Sequence, residues 1–183
     1  TAIFMSQTGG GCRASNYVSL LRKALKDLDM EQIPGISVNM AGLESNPGFK
    51  ITLPLVKSGM MGIVYGDMFM RVLYATRPYE QVKGSADALY EKWAAIADEN
   101  IRNGSFSQFK KNLKGIVRDF DALPLRDIKK PKVGVVGEIL VKYHPTANND
   151  IVSVIEGEGG EAVVLDLLDF FLYGMYSKKF NYE

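Results

Sequence analysis

Residues 7–17 (QTGGGCRASNY) place the only cysteine of the chain, Cys12, between a run of three glycines and a segment patterned as a helix. Gly9, Gly10 and Gly11 let the backbone take positive φ and turn its N–H groups outward. A helix N-terminus just beyond them welcomes anions and favours a thiolate, and Arg13 adds a fixed positive charge beside the sulfur. The segment therefore combines soft-ligand chemistry with backbone freedom, and a thiolate here would be both reachable and stabilised. The opposing reading is a thiol that merely packs, because free cysteine is among the most often buried residue types. The glycines could also cradle a phosphate, but the lysine and Ser/Thr of a P-loop and the spacing of a dinucleotide fingerprint are missing.

A second polar concentration, Glu138, Lys142, Tyr143, His144 and Asn148, follows a strand-like run, where ligand-facing loops occur. His144 is the sole histidine and precedes Pro145, which suits a hydrogen-bonded loop residue as well as a chemical one. Glu156, Glu158 and Glu161 flank glycines at a helix end, and solvation explains them. Arg77-Pro78-Tyr79-Glu80 ends a long helical stretch that also carries Tyr65-Gly66-Asp67. Its arginine either stitches the helix end or holds a CoA phosphate or a partner subunit at the mouth of a cleft. Gly134 and Gly137 are a weak phosphate signal, better read as a close strand-to-helix approach.

The elements that must position these groups are legible from periodicity. Ile3-Phe4-Met5, the glycine loop, a helix with Tyr17, Leu20, Leu21, Ala24, Leu25 and Leu28 at its apolar positions, and a β-type run over residues 33–39 make a βαβ unit. Its strand C-termini place residues 9–13 and 39–43 at one sheet edge. Residues 47–123 read as a helical insertion with helices over 51–75, 86–101 and 106–120; Gly59, Gly62 and Gly66 are possible kinks in the first, and the methionines are core filler. In the second of these helices Leu89, Tyr90, Trp93, Ala94 and Ala97 share a face. After the basic run 126–132, residues 133–137 (VGVVG) have the signature of a buried strand, Asn148-Asn149-Asp150 offers a helix N-cap, residues 157–160 end that helix, and residues 162–165 form the next strand. Residues 167–176 are a closing helix or irregular edge. The expected fold is α/β: a flavodoxin- or Rossmann-like parallel sheet built from two βαβ units, residues 1–46 and 124–183, with the helical insertion over 47–123.

A length of 183 residues suits one domain, and 46% hydrophobic with 23% charged residues describes a globular chain. With 22 basic against 21 acidic residues the net charge is +1, so nothing global draws the chain to nucleic acid or anionic lipid. One cysteine cannot form an internal disulfide or a self-contained cysteine metal site, and the expected compartment is the reducing cytoplasm. No basic-then-apolar leader opens the sequence and no apolar run approaches the ~18 to 20 residues of a membrane span, so neither export nor a membrane partner is expected. The chain opens on a strand-like run without an initiator methionine, which reads as a piece of a longer protein.

Residues 9–17 (GGGCRASNY), 46–50 (NPGFK), 65–68 (YGDM), 77–80 (RPYE), 130–150 (KPKVGVVGEILVKYHPTANND) and 155–173 (IEGEGGEAVVLDLLDFFLY) occur together in this chain. Over residues 7–173 it resembles the C-terminal part of acyl-CoA dehydratase activase-related proteins, homologues of the 2-hydroxyglutaryl-CoA dehydratase system. The resemblance implies an α/β lobe with a helical insertion and a [4Fe–4S] cluster held by a few cysteines. Cys12 would be one ligand, with a second cysteine typically just upstream in the full-length family members. Thr8, Gly9, Gly10 and Gly11 would wrap the cluster with their N–H groups, Arg13 would offset its charge, and Glu138 and His144 would line the cofactor side. The related enzymes reduce an acyl-CoA thioester by one low-potential electron and lose a 2-hydroxyl group through a ketyl radical, with ATP hydrolysis in an activator driving the electron. Nothing here supplies an ATP site, so this part would stand on the electron-accepting or substrate side. Leu165-Asp166 departs from the family's usual proline before that aspartate, which bears on a local turn.

The leading expectation is thus part of an iron–sulfur acyl-CoA dehydratase-like or activase-related protein, inactive alone because one thiolate cannot hold a cubane cluster. Its partners would be the other domains of the parent protein, a dehydratase or activator subunit, and an acyl-CoA substrate. The alternative is a non-catalytic docking or nucleotide-binding module whose glycine loop recognises phosphate and whose cysteine packs.

Overall fold

The computed structural model describes residues 2–7, 12–38, 50 and 52–180. In chain order the elements are β1 (Ile3–Ser6), α1 (Tyr17–Asp27), β2 (Gly35–Val38), α2 (Leu53–Thr76), α3 (Ser85–Asn103) and α4 (Phe106–Asp121). Then come β3 (Lys132–Val135), α5 (Ile139–Tyr143), α6 (Ile151–Gly157), β4 (Glu161–Val164) and α7 (Leu167–Phe180). The chain is a mixed α/β protein dominated by helix. Its described strands form two separate two-stranded parallel sheets, β1 with β2 and β3 with β4. It divides into two compact units: Thr1–Lys50 with Glu138–Tyr143, and Ile51–Gly137 with His144–Glu183.

In the first unit β1 and β2 pair in register from Ile3 opposite Gly35 to Ser6 opposite Val38, with α1 between them in the chain. A 3₁₀ turn, Arg13–Asn16, leads into α1. The buried face of α1 overlaps the one read from the sequence, keeping Tyr17 and Leu25 but losing Leu20, Ala24 and Leu28. Ala14, Tyr17, Val18 and Leu25 are buried, whereas Leu20 and Leu28 are 53% and 66% exposed. Two apolar stripes lie side by side on this helix, and periodicity alone does not say which one meets the strands. Gly35 lets α1 approach β2 closely, since a Cβ there would lie 3.3 Å from Leu21 Cδ2.

The second unit is built on α2, α3 and α4. Pro54 sits in the first turn of α2, where its missing N–H costs nothing, and Thr52 caps that turn by accepting from the Leu55 N–H. Gly59, Gly62 and Gly66 do not divide the helix, which runs unbroken to Thr76 before Pro78. Met61, Tyr65, Phe69 and Leu73 of α2 pack with Ala86, Trp93 and Ala97 of α3 and with Phe109, Ile116 and Phe120 of α4. Leu89, Tyr90 and Ala94 flank this core, so the face expected on α3 is the buried one. A polar chain runs through it: the Tyr65 hydroxyl donates to Asn100 Oδ1 at 2.7 Å, and Asn112 Nδ2 donates to that hydroxyl at 2.9 Å. Burial pushes the Tyr65 phenol up, only partly offset by Asn112.

β3 and β4 pair from Lys132 opposite Glu161 to Val135 opposite Val164, and β4 and α7 lie against α2. The run 133–137 is not a buried strand as its composition suggested. Val135 alone of β3 is buried, and Val136 is 81% exposed, because a sheet of two strands has no layer on both faces. α7 is helical throughout, and its first turn is capped from another helix: both oxygens of Asp67 in α2 accept, from the N–H groups of Leu167 and Leu168, at 2.8 Å each. Among the described residues no helix is long and apolar enough to cross a membrane.

Candidate functional site

The turn that presents Cys12 is held by a short relay in the first unit. Ser37 on β2, almost fully buried, donates to Gln7 Oε1 at 2.6 Å, and Gln7 Nε2 donates to the Ser15 carbonyl at 2.9 Å. Gln7 also pairs its backbone N–H with the Val38 carbonyl at 3.1 Å, so the exits of both strands are tied to the turn. Ser15 closes it: its N–H donates to the Cys12 carbonyl at 3.1 Å, and its hydroxyl donates to the same oxygen. Cys12 itself is extended at φ −82° and ψ 142°, immediately before the 3₁₀ turn, and its side chain is exposed. Arg13 is exposed as well. A polar side chain at a strand exit was the only signal for Gln7, and nothing in its spacing distinguished Ser37.

The other expected site residues are distributed as follows. Thr8, Gly9, Gly10 and Gly11 lie outside the described residues, as do residues 39–43. Glu138 belongs to the unit of Cys12 and stands immediately before α5, where its Oε2 accepts from the N–H groups of Leu140 and Val141 at 3.1 and 3.3 Å. Its Oε1 and the Tyr17 hydroxyl are buried without a hydrogen-bond partner among the described residues, which leaves unspent polar capacity in this unit. His144 falls in the other unit, exposed, with its carbonyl accepting from the N–H groups of Ala147 and Asn148.

Whether these groups fit an iron–sulfur cluster is a matter of ligand count. Among the described residues no three His, Cys, Asp or Glu side chains come together to hold a metal. One exposed thiol fits a single corner of a cluster whose other ligands lie elsewhere, and does not fit a site complete in itself.

In the second unit two of the three carboxylates read as solvated, Glu156 and Glu161, are structural, whereas Glu158 is exposed as expected. Arg77 Nε and one terminal nitrogen bind the two oxygens of Glu156 at 2.7 and 3.0 Å, and the other terminal nitrogen binds Asp87 at 3.0 Å. Burial opposes the charge on Arg77, but these bonds outweigh it and raise its pKa. Arg77 therefore stitches α2 to α3 and α6, and its fork is spent on carboxylates. Glu161, only 5% exposed, accepts from the Tyr79 hydroxyl at 2.6 Å and pairs with Lys132 at 3.0 Å. Those contacts raise the pKa of both Tyr79 and Lys132. Glu80 caps α3, accepting from the N–H groups of Gly84 and Ala86 at 2.6 and 2.9 Å and from the Ser85 hydroxyl at 3.2 Å. Burial acts against its charge, yet the donors prevail and hold its pKa below the ordinary value. Asn148, not Asp150, supplies the side-chain bond to the first turn of α6, accepting from the Ile151 N–H at 3.2 Å.

No family model, no curated protein and no solved structure matches the chain. The reading of function therefore rests on the resemblance carried by the sequence motifs and on the geometry of the Cys12 turn.

Proposed function

We propose that the chain is part of an iron–sulfur protein of the acyl-CoA dehydratase and activase-related kind, in which Cys12 supplies one ligand to a [4Fe–4S] cluster completed by thiolates from outside it. The observation that carries this reading is the exposure of the Cys12 side chain on a turn anchored at the exits of two parallel strands. A thiol sealed among aliphatic side chains could not share a metal centre; this one is reachable. When bound, such a cluster supplies low-potential one-electron transfer. The chain's own contribution is positional: Ser37, Gln7 and Ser15 hold the turn, and Arg13 places a positive charge next to the ligand. Each parallel strand pair, with helix between its strands, is read as a βαβ unit of a flavodoxin- or Rossmann-like fold. The proposed setting is the reducing cytoplasm, with a dehydratase or activator subunit as partner and an acyl-CoA as substrate.

The test is anaerobic reconstitution of the full-length protein with iron and sulfide. Cys12→Ser should lower the bound iron and the broad visible absorption while the far-ultraviolet circular dichroism stays unchanged. Iron content and reducibility equal to those of the parent protein would remove the reading.

A further inference from the structure

The basic run 126–132, which the cluster reading leaves unused, borders a cavity of about 740 Å³ within the second unit. The size is that of a small-molecule site. Four cations line it, Arg77, Lys83, Arg126 and Lys130, together with three carboxylates, Glu80, Asp87 and Glu156. Every one of the carboxylates is already engaged: Glu80 by the first turn of α3, and Asp87 and Glu156 by Arg77. Lys83, Arg126 and Lys130 by contrast have no carboxylate partner among the described residues. Arg126 donates to the Pro78 carbonyl at 3.1 Å and Lys130 to the Gly159 carbonyl at 3.2 Å, bonds that fix the side chains without neutralising them.

The wall carrying these cations is built rather than loose. Gln81 N–H donates to the Pro124 carbonyl at 3.0 Å, Arg126 N–H to the Tyr79 carbonyl at 2.7 Å, and Gln81 Nε2 to the Leu125 carbonyl at 2.9 Å. Glu80 and Leu125 bridge antiparallel between them. The segment after α4 is thus zipped along the segment after α2. Opposite it, α6 brings Ser153, a hydroxyl able to donate to an anion.

From this arrangement we infer that the cavity binds a small molecule bearing a diphosphate group, with Lys83, Arg126 and Lys130 meeting the phosphate oxygens. Four cations against three carboxylates leave the lining one positive charge in excess, and Lys83, Arg126 and Lys130, none of them paired with a carboxylate among the described residues, border one space as the oxygens of a polyanion require. A concave site favours a small ligand over a nucleic acid or an acidic protein surface. The proposal uses no residue of the Cys12 turn, so it stands or falls separately from the cluster reading.

The experiment is isothermal titration calorimetry of the full chain with inorganic pyrophosphate, with adenosine diphosphate and coenzyme A as separate arms. Saturable one-to-one binding is expected, weakened at least about tenfold in Lys83→Gln/Lys130→Gln. Lys110→Gln/Lys111→Gln on α4 should bind as the parent does. Equal affinity for all three ligands marks the free diphosphate as the recognised unit, and tighter binding of one organic ligand marks its diphosphate as the source. Absence of binding at millimolar pyrophosphate, or an equal loss in both double variants, overturns the proposal. Should Lys130→Gln fail to fold, Lys83→Gln/Arg126→Gln carries the same expectation and the same refutation.

Discussion

Gly115 sits in the interior of α4, a position where alanine would ordinarily add about 1 kcal/mol of helix stability. Here the same change should destabilise. A Cβ on Gly115 would lie 2.5 Å from Cη2 and 2.9 Å from Cζ2 of Trp93, closer than non-bonded carbons approach. The indole has little room to retreat: Trp93 is buried in the three-helix core, and its Nε1 donates to Asp119 Oδ2 at 3.2 Å. An approach of 2.5 Å puts the cost of overpacking in the upper part of its usual range, about 2–3 kcal/mol, so Gly115→Ala should lose a net ~1–2 kcal/mol after the helix gain. For a chain of this length that lowers Tm by roughly 2–8 °C. Trp93 is the only tryptophan, so its fluorescence on heating reports the affected core directly. Gly66 on the exposed side of α2 is the control, because a Cβ there meets nothing within 4 Å. Gly66→Ala should therefore raise Tm, with a gain of about 0.5–1 kcal/mol. A Tm for Gly115→Ala equal to or above that of the parent would refute the close contact between α3 and α4.

Glu80→Gln should cost about 1 kcal/mol at neutral pH, through loss of the charged cap on α3. Because the folded pKa of Glu80 is depressed, its contribution is complete above the unfolded carboxylate value and disappears as pH falls through the folded one. The Tm gap between parent and variant should close as the solution is acidified from pH 7 toward about 3. A gap that does not change with pH would mean the charge contributes nothing. Arg77→Met leaves Glu156 and Asp87 without their partner, and should cost about 2–3 kcal/mol by urea denaturation, less than a fully sealed pair would. Adding Glu156→Leu should restore more than half of that loss, and a single variant as stable as the parent would contradict the structural role of the pair.

Much of the helical architecture was readable because local rules and tertiary packing agree there. The helices expected over 51–75, 86–101 and 106–120 form as Leu53–Thr76, Ser85–Asn103 and Phe106–Asp121, each end within two residues of where apolar periodicity put it. The glycines of α2 invited a break that did not occur, since an intact hydrogen-bonded ladder packed on α3 and α4 outweighs their weak propensity. The Arg77 cluster was misread in part for a different reason. Glu156 lies 79 positions from its arginine, and no local pattern joins two side chains across that separation.

The amino-acid sequence by itself determined the three long helices, the first βαβ run and the strands over 133–137 and 162–165, and that a lone thiol stands beside a glycine run, because these follow from side-chain periodicity, turn chemistry and composition. Tertiary structure decided which stripe of α1 is buried, that Glu80, Glu156 and Glu161 are partnered rather than solvated, and that Gln7, Ser15 and Ser37 hold Cys12 open to solvent. Those outcomes depend on pairings between residues distant in the chain, where the loss of water is repaid only when the partner arrives, and a one-dimensional pattern carries no record of that meeting.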